Sequence, residues 1–125
     1  MRRVEQNFQK AVATLLHAAL PDDAWSSAFP AGGGGRLRGA ILKSMGLAPG
    51  VPDYIIAHAG RTLWLELKTH ARGSGLSATQ RACHERLRAA GHAVEVVRDI
   101  VEVIRALDAH GVPHRLSITG NGCVI

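Results

Sequence analysis

Two carboxylates and a lysine lie close together near the middle of the chain: Asp53, Glu66 and Lys68. The apolar segments on either side of Ala59-Gly60 predict a β-hairpin. An even-length loop centred on that pair places Asp53 opposite Glu66, with Cβ atoms about 4.5–5.5 Å apart. Because two carboxylates at that separation repel each other, a divalent cation between them would explain the pairing.

Carboxylate oxygens are hard ligands, which suit Mg²⁺ or Mn²⁺. The backbone carbonyl of Leu67, between the two site residues of the second strand, is a further candidate ligand. Lys68 is predicted to orient or deprotonate an attacking water, or to stabilise charge on a phosphoryl group. The alternative is an exposed Glu66–Lys68 pair with a turn aspartate at Asp53, and the spacing alone leaves both interpretations open.

Strand alternation assigns the second hairpin strand two different faces. Trp64, Glu66 and Lys68 share one face, and the leucines share the other: Leu63, Leu65 and Leu67. The leucine face is expected to be buried against helices, with Glu66 and Lys68 projecting on the opposite side.

The next helix is predicted to begin beside this site. Ser77 as N-cap and Gln80 at the third helical position form a capping box, and Gly91 ends the helix. Gln80 shares a helix stripe with Cys83 and Leu87, which directs it toward the sheet. Closing the capping box and lying beside the site are competing roles for Gln80.

The remaining elements follow from periodicity and turn residues. We expect a helix over residues 4–20, an extended segment over 24–29, a short helix through about 45, a strand over 92–98 and a helix from Asp99 to about 109. Residues 115–119 are a candidate edge strand. Together these predict one α/β domain over residues 1–125, with a mixed β-sheet flanked by helices.

The chain has a net charge of +5 and a pI near 10.0, which favours a polyanionic partner. Candidate DNA contacts are basic residues on the short helix and on the loop after Lys68: Arg36, Arg38, Lys43, His70 and Arg72. A solvated basic surface is the alternative. The glycine run at 32–35 is predicted to be a mobile loop, and because no G-K-[ST] follows it, a nucleotide-binding P-loop is not expected.

Two cysteines without C-x-x-C spacing, and no apolar run of membrane-spanning length, lead us to expect a cytoplasmic protein. The seven histidines show no metal-ligand spacing.

Several motifs occur in a recognisable order: RGAILKSMGLAPGVPD, WLELK, GLSATQ and VEVVR. This series, covering about residues 5–98, resembles the VRR-NUC family of the PD-(D/E)xK nuclease superfamily, and in particular its stand-alone phage and bacterial members. The resemblance implies a restriction-endonuclease-like αβββαβ core and a metal-dependent endonuclease in a bacterial or phage-infected cell.

By motif match the resemblance makes Asp53 and Glu66 metal ligands, Lys68 the catalytic lysine and Gln80 a neighbour in the site. Glu5 on the first helix matches a glutamate that approaches the metal in related resolvases, where it could share a second ion with substrate. The same resemblance implies a homodimer acting on branched DNA such as four-way (Holliday) junctions. Cleavage of flapped or linear DNA ends is an alternative, and a non-catalytic DNA-binding module on the same fold is another.

Overall fold

A computed structural model describes residues 2–29, 35–119 and 122–124, and describes side chains for residues 4–29 and 36–116. The elements follow in the order α1 (Arg2–Ala19), β1 (Trp25–Ala28), α2 (Gly35–Ser44), β2 (Tyr54–His58), β3 (Arg61–Leu67), α3 (Ala78–Ala89), β4 (Ala93–Val97), α4 (Ile100–Ala109), β5 (Ser117–Thr119) and β6 (Gly122–Val124). Of the glycine loop predicted over residues 32–35, residues 32–34 lie outside this description, and Gly35 begins α2 instead. None of the helices described is both long and apolar enough to cross a membrane.

The main sheet has four strands in the order β1-β2-β3-β4. The first three strands are antiparallel, and β4 pairs in parallel with β3 after the α3 crossover. The predicted α/β architecture, a mixed sheet with flanking helices around an αβββαβ core, is therefore confirmed, with α2 inserted between β1 and β2.

The hairpin between β2 and β3 turns at the predicted pair of residues. His58 pairs with Arg61, and both Ala59 and Gly60 have positive φ, at 52° and 78°. Positive φ at both central positions is typical of the type I′ turn, whose twist matches that of a hairpin. Tyr54 pairs with Leu65 at the other end of the hairpin, so the next register position places Asp53 opposite Glu66.

The main core lies on the leucine face of β3. Leu63 and Leu65 are buried there, and they belong to a cluster with residues of α1 and α4: Val12, Leu16, Val103, Ala106 and Leu107. The α1 residues recur at helical spacing, as the sequence pattern predicted. Asp99 caps α4 by accepting a hydrogen bond from the backbone N–H of Glu102 at 2.9 Å.

Two sequence expectations need correction. The strand predicted over residues 115–119 is not an edge strand of the main sheet, because β5 pairs with β6 in a separate two-stranded sheet. The side of β3 that carries Glu66 is also not open to solvent, because Glu66 is 1% exposed and contacts His84 of α3. Helices therefore cover both faces of β3, and the strand carries an acidic side chain inside the protein.

Candidate active site

Asp53 is held at the start of β2 by its backbone and its side chain. Its carbonyl accepts a hydrogen bond from Phe29 N at 2.8 Å, continuing the β1–β2 ladder. Its Oδ2 accepts a hydrogen bond from Leu67 N, also at 2.8 Å, across the hairpin. Pro52, fully buried, fixes the chain just before it. Asp53 is thus hydrogen-bonded to the end of β3, at the residue between Glu66 and Lys68.

Glu66 lies in a setting that opposes its ionisation. Burial, a side-chain hydrogen bond to Asp53 and repulsion by the Asp53 carboxylate raise the pKa of Glu66 from 4.5 to about 9, with Lys68 acting in the opposite direction. The Glu66 carboxyl group is therefore neutral at pH 7 when no cation is bound. The predicted pairing of Asp53 with Glu66 is therefore present in the folded protein, at the side-chain level as well as in register.

The side chain of Lys68 is held by Gln80 of the next helix, which also belongs to the capping box of that helix. Its Nζ donates to Gln80 Oε1 at 3.0 Å, and the same oxygen accepts from Ser77 N at 3.0 Å. Ser77 Oγ in turn accepts from Gln80 N, which completes the capping box. The two roles that competed for Gln80 in the sequence are thus compatible, since one amide oxygen serves both the helix cap and the lysine.

His84 is the site residue that sequence reasoning missed. Its Nε2 lies 3.0 Å from Glu66 Oε1, and both side chains are buried, at 1% and 2% exposure. Burial, followed by the charges of Arg88 and Lys68, lowers the pKa of His84, which favours the neutral imidazole. The spacing from Gln80 to His84 is one helical turn, and that spacing is the signal that could have identified it.

The two other predicted metal ligands are Glu5 and the carbonyl of Leu67. Glu5 is exposed on α1, and the described part of the chain contains no group of three or more His, Cys, Asp or Glu side chains placed to hold a metal ion. Leu67 contributes its N–H to Asp53, and its carbonyl remains a predicted ligand. The roles of both residues as ligands stay predictions.

The predicted DNA contacts lie on two exposed segments that adjoin the site along the chain. Arg36, Arg38 and Lys43 are exposed on α2, which precedes the loop leading to Asp53. His70 and Arg72 are exposed on the loop that follows Lys68, where His70 Nε2 lies 3.0 Å from Asp99 Oδ2. Their contact with DNA stays a prediction.

Gly50 ties the Asp53 loop to the start of α3. It has φ of +77°, and a Cβ at this position would lie 2.5 Å from the carbonyl oxygen of Thr79 and 2.9 Å from Gln80 N. Only glycine allows such close packing with this backbone conformation. The fit sets the distance between the Asp53 loop and the helix that carries Gln80.

Replacing Gly50 with alanine is therefore expected to destabilise the protein and to displace the site. Gly60→Ala is a matched control, because Gly60 has φ of +78° and open space where a Cβ would lie. We expect Gly50→Ala to lower the free energy of unfolding by about 1–3 kcal/mol more than Gly60→Ala, through overpacking. Urea denaturation of both variants measures the difference, and equal losses would show that the contact with α3 is unimportant.

Comparison with known proteins gives a match in structure alone. No family model matches the sequence, and no curated protein matches it. A solved structure described as a VRR_NUC domain protein matches with a TM-score of 0.62 and 23% sequence identity. The match covers 84% of this chain and 85% of that one. The chain therefore has the VRR-NUC fold, as the order of its sequence motifs predicted.

Proposed function

We propose that this protein is a metal-dependent endonuclease that hydrolyses DNA phosphodiester bonds. The observation that carries the proposal is the pairing of Asp53 with the buried Glu66, next to Lys68 held by Gln80. Buried carboxyl groups with strongly shifted pKa values concentrate at functional sites. The VRR-NUC fold and the positive net charge support a nucleic acid as the substrate.

The donor set fits a hard divalent cation. Asp53 and Glu66 supply carboxylate oxygens, and Mg²⁺ commonly binds through one or two carboxylates together with waters and substrate phosphates. A cation would also offset the burial and the repulsion by Asp53 that raise the pKa of Glu66. Asp53 and Glu66 would hold Mg²⁺ or Mn²⁺, with the Leu67 carbonyl and Glu5 as further candidates. The ion would supply Lewis-acid chemistry toward water and the scissile phosphate.

The protein's own groups then have defined tasks. In hydrolysis, the oxygen of a water molecule attacks phosphorus, the bond to the leaving oxygen breaks, and a proton reaches that leaving oxygen. Lys68 Nζ, fixed by Gln80 Oε1 at 3.0 Å, is placed to orient the water or to interact with the negative charge of the phosphoryl group. Asp53 and Glu66 position the reacting groups relative to this amine.

We also propose that two copies of the chain act together on branched DNA. The α2 helix and the turn that follows it expose three apolar side chains at four-residue spacing, Leu37 (76% exposed), Ile41 (50%) and Met45 (77%). Such a stripe on a helix surface is typical of a helix that packs against a partner. A symmetric dimer with this stripe at its interface would present two sites, one for each strand to be cut at a four-way junction.

The direct test is cleavage of a four-way junction, a flap and a linear duplex side by side, with and without Mg²⁺. We expect cleavage only with the ion and fastest on the junction. Preferential cleavage of the flap or the linear duplex would favour the alternative of a nuclease for DNA ends. Light scattering at micromolar concentration should give a dimer mass, and a monomer mass would count against paired cutting of junctions.

A non-catalytic DNA-binding module remains the second candidate, favoured by the exposed basic residues of α2. Calorimetric titration with Mn²⁺ separates it from the nuclease. Heat of binding in the wild type, lost in Asp53→Ala, supports the nuclease. DNA binding without Mn²⁺ binding or cleavage would favour the module.

A further inference from the structure

Residue His84 is buried in the middle of α3, on the side of the helix that covers the Glu66 face of β3. Its Nε2 contacts Glu66 Oε1 at 3.0 Å. Its other ring nitrogen, Nδ1, is buried without a hydrogen-bond partner among the residues that the structure describes. A buried polar atom without a partner costs stability that an apolar side chain of similar volume would not.

The hydrogen bonding of this histidine is therefore directed at one group. If His84 only filled space in the core, leucine would stabilise the fold at least as well. The imidazole instead makes its single hydrogen bond to Glu66, the acid of the candidate site. When Glu66 is ionised it can only accept, so Nε2 must carry the proton and donate to Oε1. In the ionised state of Glu66 that a cation would hold, Nδ1 is then the acceptor left without a partner.

We propose that His84 is a positioning residue for Glu66: by donating from Nε2 to Oε1, it fixes the carboxylate rotamer and leaves Oε2 to face Asp53 and a divalent cation. The inference rests on the proposed function. Hydrogen bonds to a ligating carboxylate orient it, and their loss typically weakens metal binding or activity about 10–100-fold.

Three substitutions of His84 test the donor itself. His84→Gln keeps an amide N–H at the reach of Nε2, His84→Asn keeps an amide that is too short, and His84→Leu fills the space without a donor. Glu85→Ala, at an exposed position of the same helix, is the control. Each protein is titrated with Mn²⁺ alone by calorimetry and by the electron paramagnetic resonance of free Mn²⁺. Mg²⁺-dependent cleavage and thermal unfolding are then measured.

We expect His84→Leu and His84→Asn to bind Mn²⁺ about 10–100-fold more weakly, with His84→Gln within a few-fold of wild type. The concentration of Mg²⁺ that half-saturates cleavage should rise in the same order. His84→Leu removes the unpaired Nδ1 but also the partner of Glu66 Oε1, so its unfolding temperature without metal should stay close to that of wild type. If His84→Leu does not fold, the comparison of glutamine with asparagine still decides, because both are polar.

Wild-type Mn²⁺ affinity in His84→Leu and His84→Asn would overturn the inference while leaving the nuclease intact. Equal weakening in His84→Gln and His84→Asn would also overturn it, because the donor would then not be the cause. A wild-type protein that neither binds Mn²⁺ nor cleaves DNA would overturn the proposed function itself, and this role of His84 with it.

Discussion

Replacing Lys68 with alanine should lower the rate of DNA cleavage by about 10²–10⁴-fold, the range typical of a group that acts on protons or charge in a transition state. The fold should survive, because Gln80 Oε1 keeps its second hydrogen bond, from Ser77 N, and the capping box of α3 remains closed. DNA affinity should change little, since one amine is removed from a chain with a net charge of +5. Single-turnover cleavage and a separate binding titration distinguish the two effects.

A second variant separates the two tasks proposed for the amine. Lys68→Arg keeps a positive charge but cannot release a proton at working pH. Substantial activity in this variant would indicate that Lys68 acts through its charge, and activity as low as that of Lys68→Ala would indicate proton transfer or exact placement. Lys10→Ala, which removes an exposed lysine of α1, is the control for charge alone. Full activity in Lys68→Ala would refute the site assignment.

The geometry that brings these groups together was largely predictable from the sequence. Strand side chains alternate and hairpin register depends on the turn, so the Ala59-Gly60 pair determined that Asp53 and Glu66 would meet. The capping box at Ser77 and Gln80 could likewise be predicted, because it depends only on residues three positions apart, and it is present in the structure. Features set by a few neighbouring residues can be predicted in this way because no distant contact has to be known.

The environment of Glu66 could not be predicted by the same means. Its burial depends on α3 packing over the strand, and hydropathy does not indicate that a polar face is covered. The stripe through Gln80, Cys83 and Leu87 gave the correct side of α3, but it passed over His84 because a histidine contributes little to an apolar pattern. The pairing of β5 with β6 was not predicted either, because the partner of a short strand depends on tertiary packing.

Replacing Glu66 with glutamine should stabilise the metal-free protein and abolish its response to divalent cations. The pKa of Glu66 is about 9 in the folded chain against 4.5 as its ordinary value. Between those values Glu66 holds a proton in the folded state that it has released in the unfolded state, so the contribution of Glu66 to the free energy of unfolding falls as pH rises. At pH 7 the loss amounts to roughly 3 kcal/mol, or about 10 °C in Tm.

Glutamine reproduces the neutral, hydrogen-bonding form of Glu66 at every pH, so the variant should not lose this stability. Thermal unfolding in EDTA at several pH values tests the expectation. The two proteins should unfold alike near pH 4.5 and diverge as pH rises, with Glu66→Gln the more stable. Glu85→Gln, at an exposed carboxylate on α3, controls for the removal of one negative charge.

Divalent cation should reverse the order of stability. A cation that binds the ionised Glu66 of wild type must displace its proton, so Mn²⁺ affinity should increase with pH and binding should release protons. Mn²⁺ should then raise the Tm of wild type, and it should leave that of Glu66→Gln nearly unchanged because an amide is a poor substitute for a carboxylate ligand. Equal stabilisation of both proteins by Mn²⁺ would place the metal elsewhere. If the difference in stability between Glu66→Gln and wild type did not grow between pH 4.5 and 9 in EDTA, the pKa of Glu66 would not be raised in the folded protein.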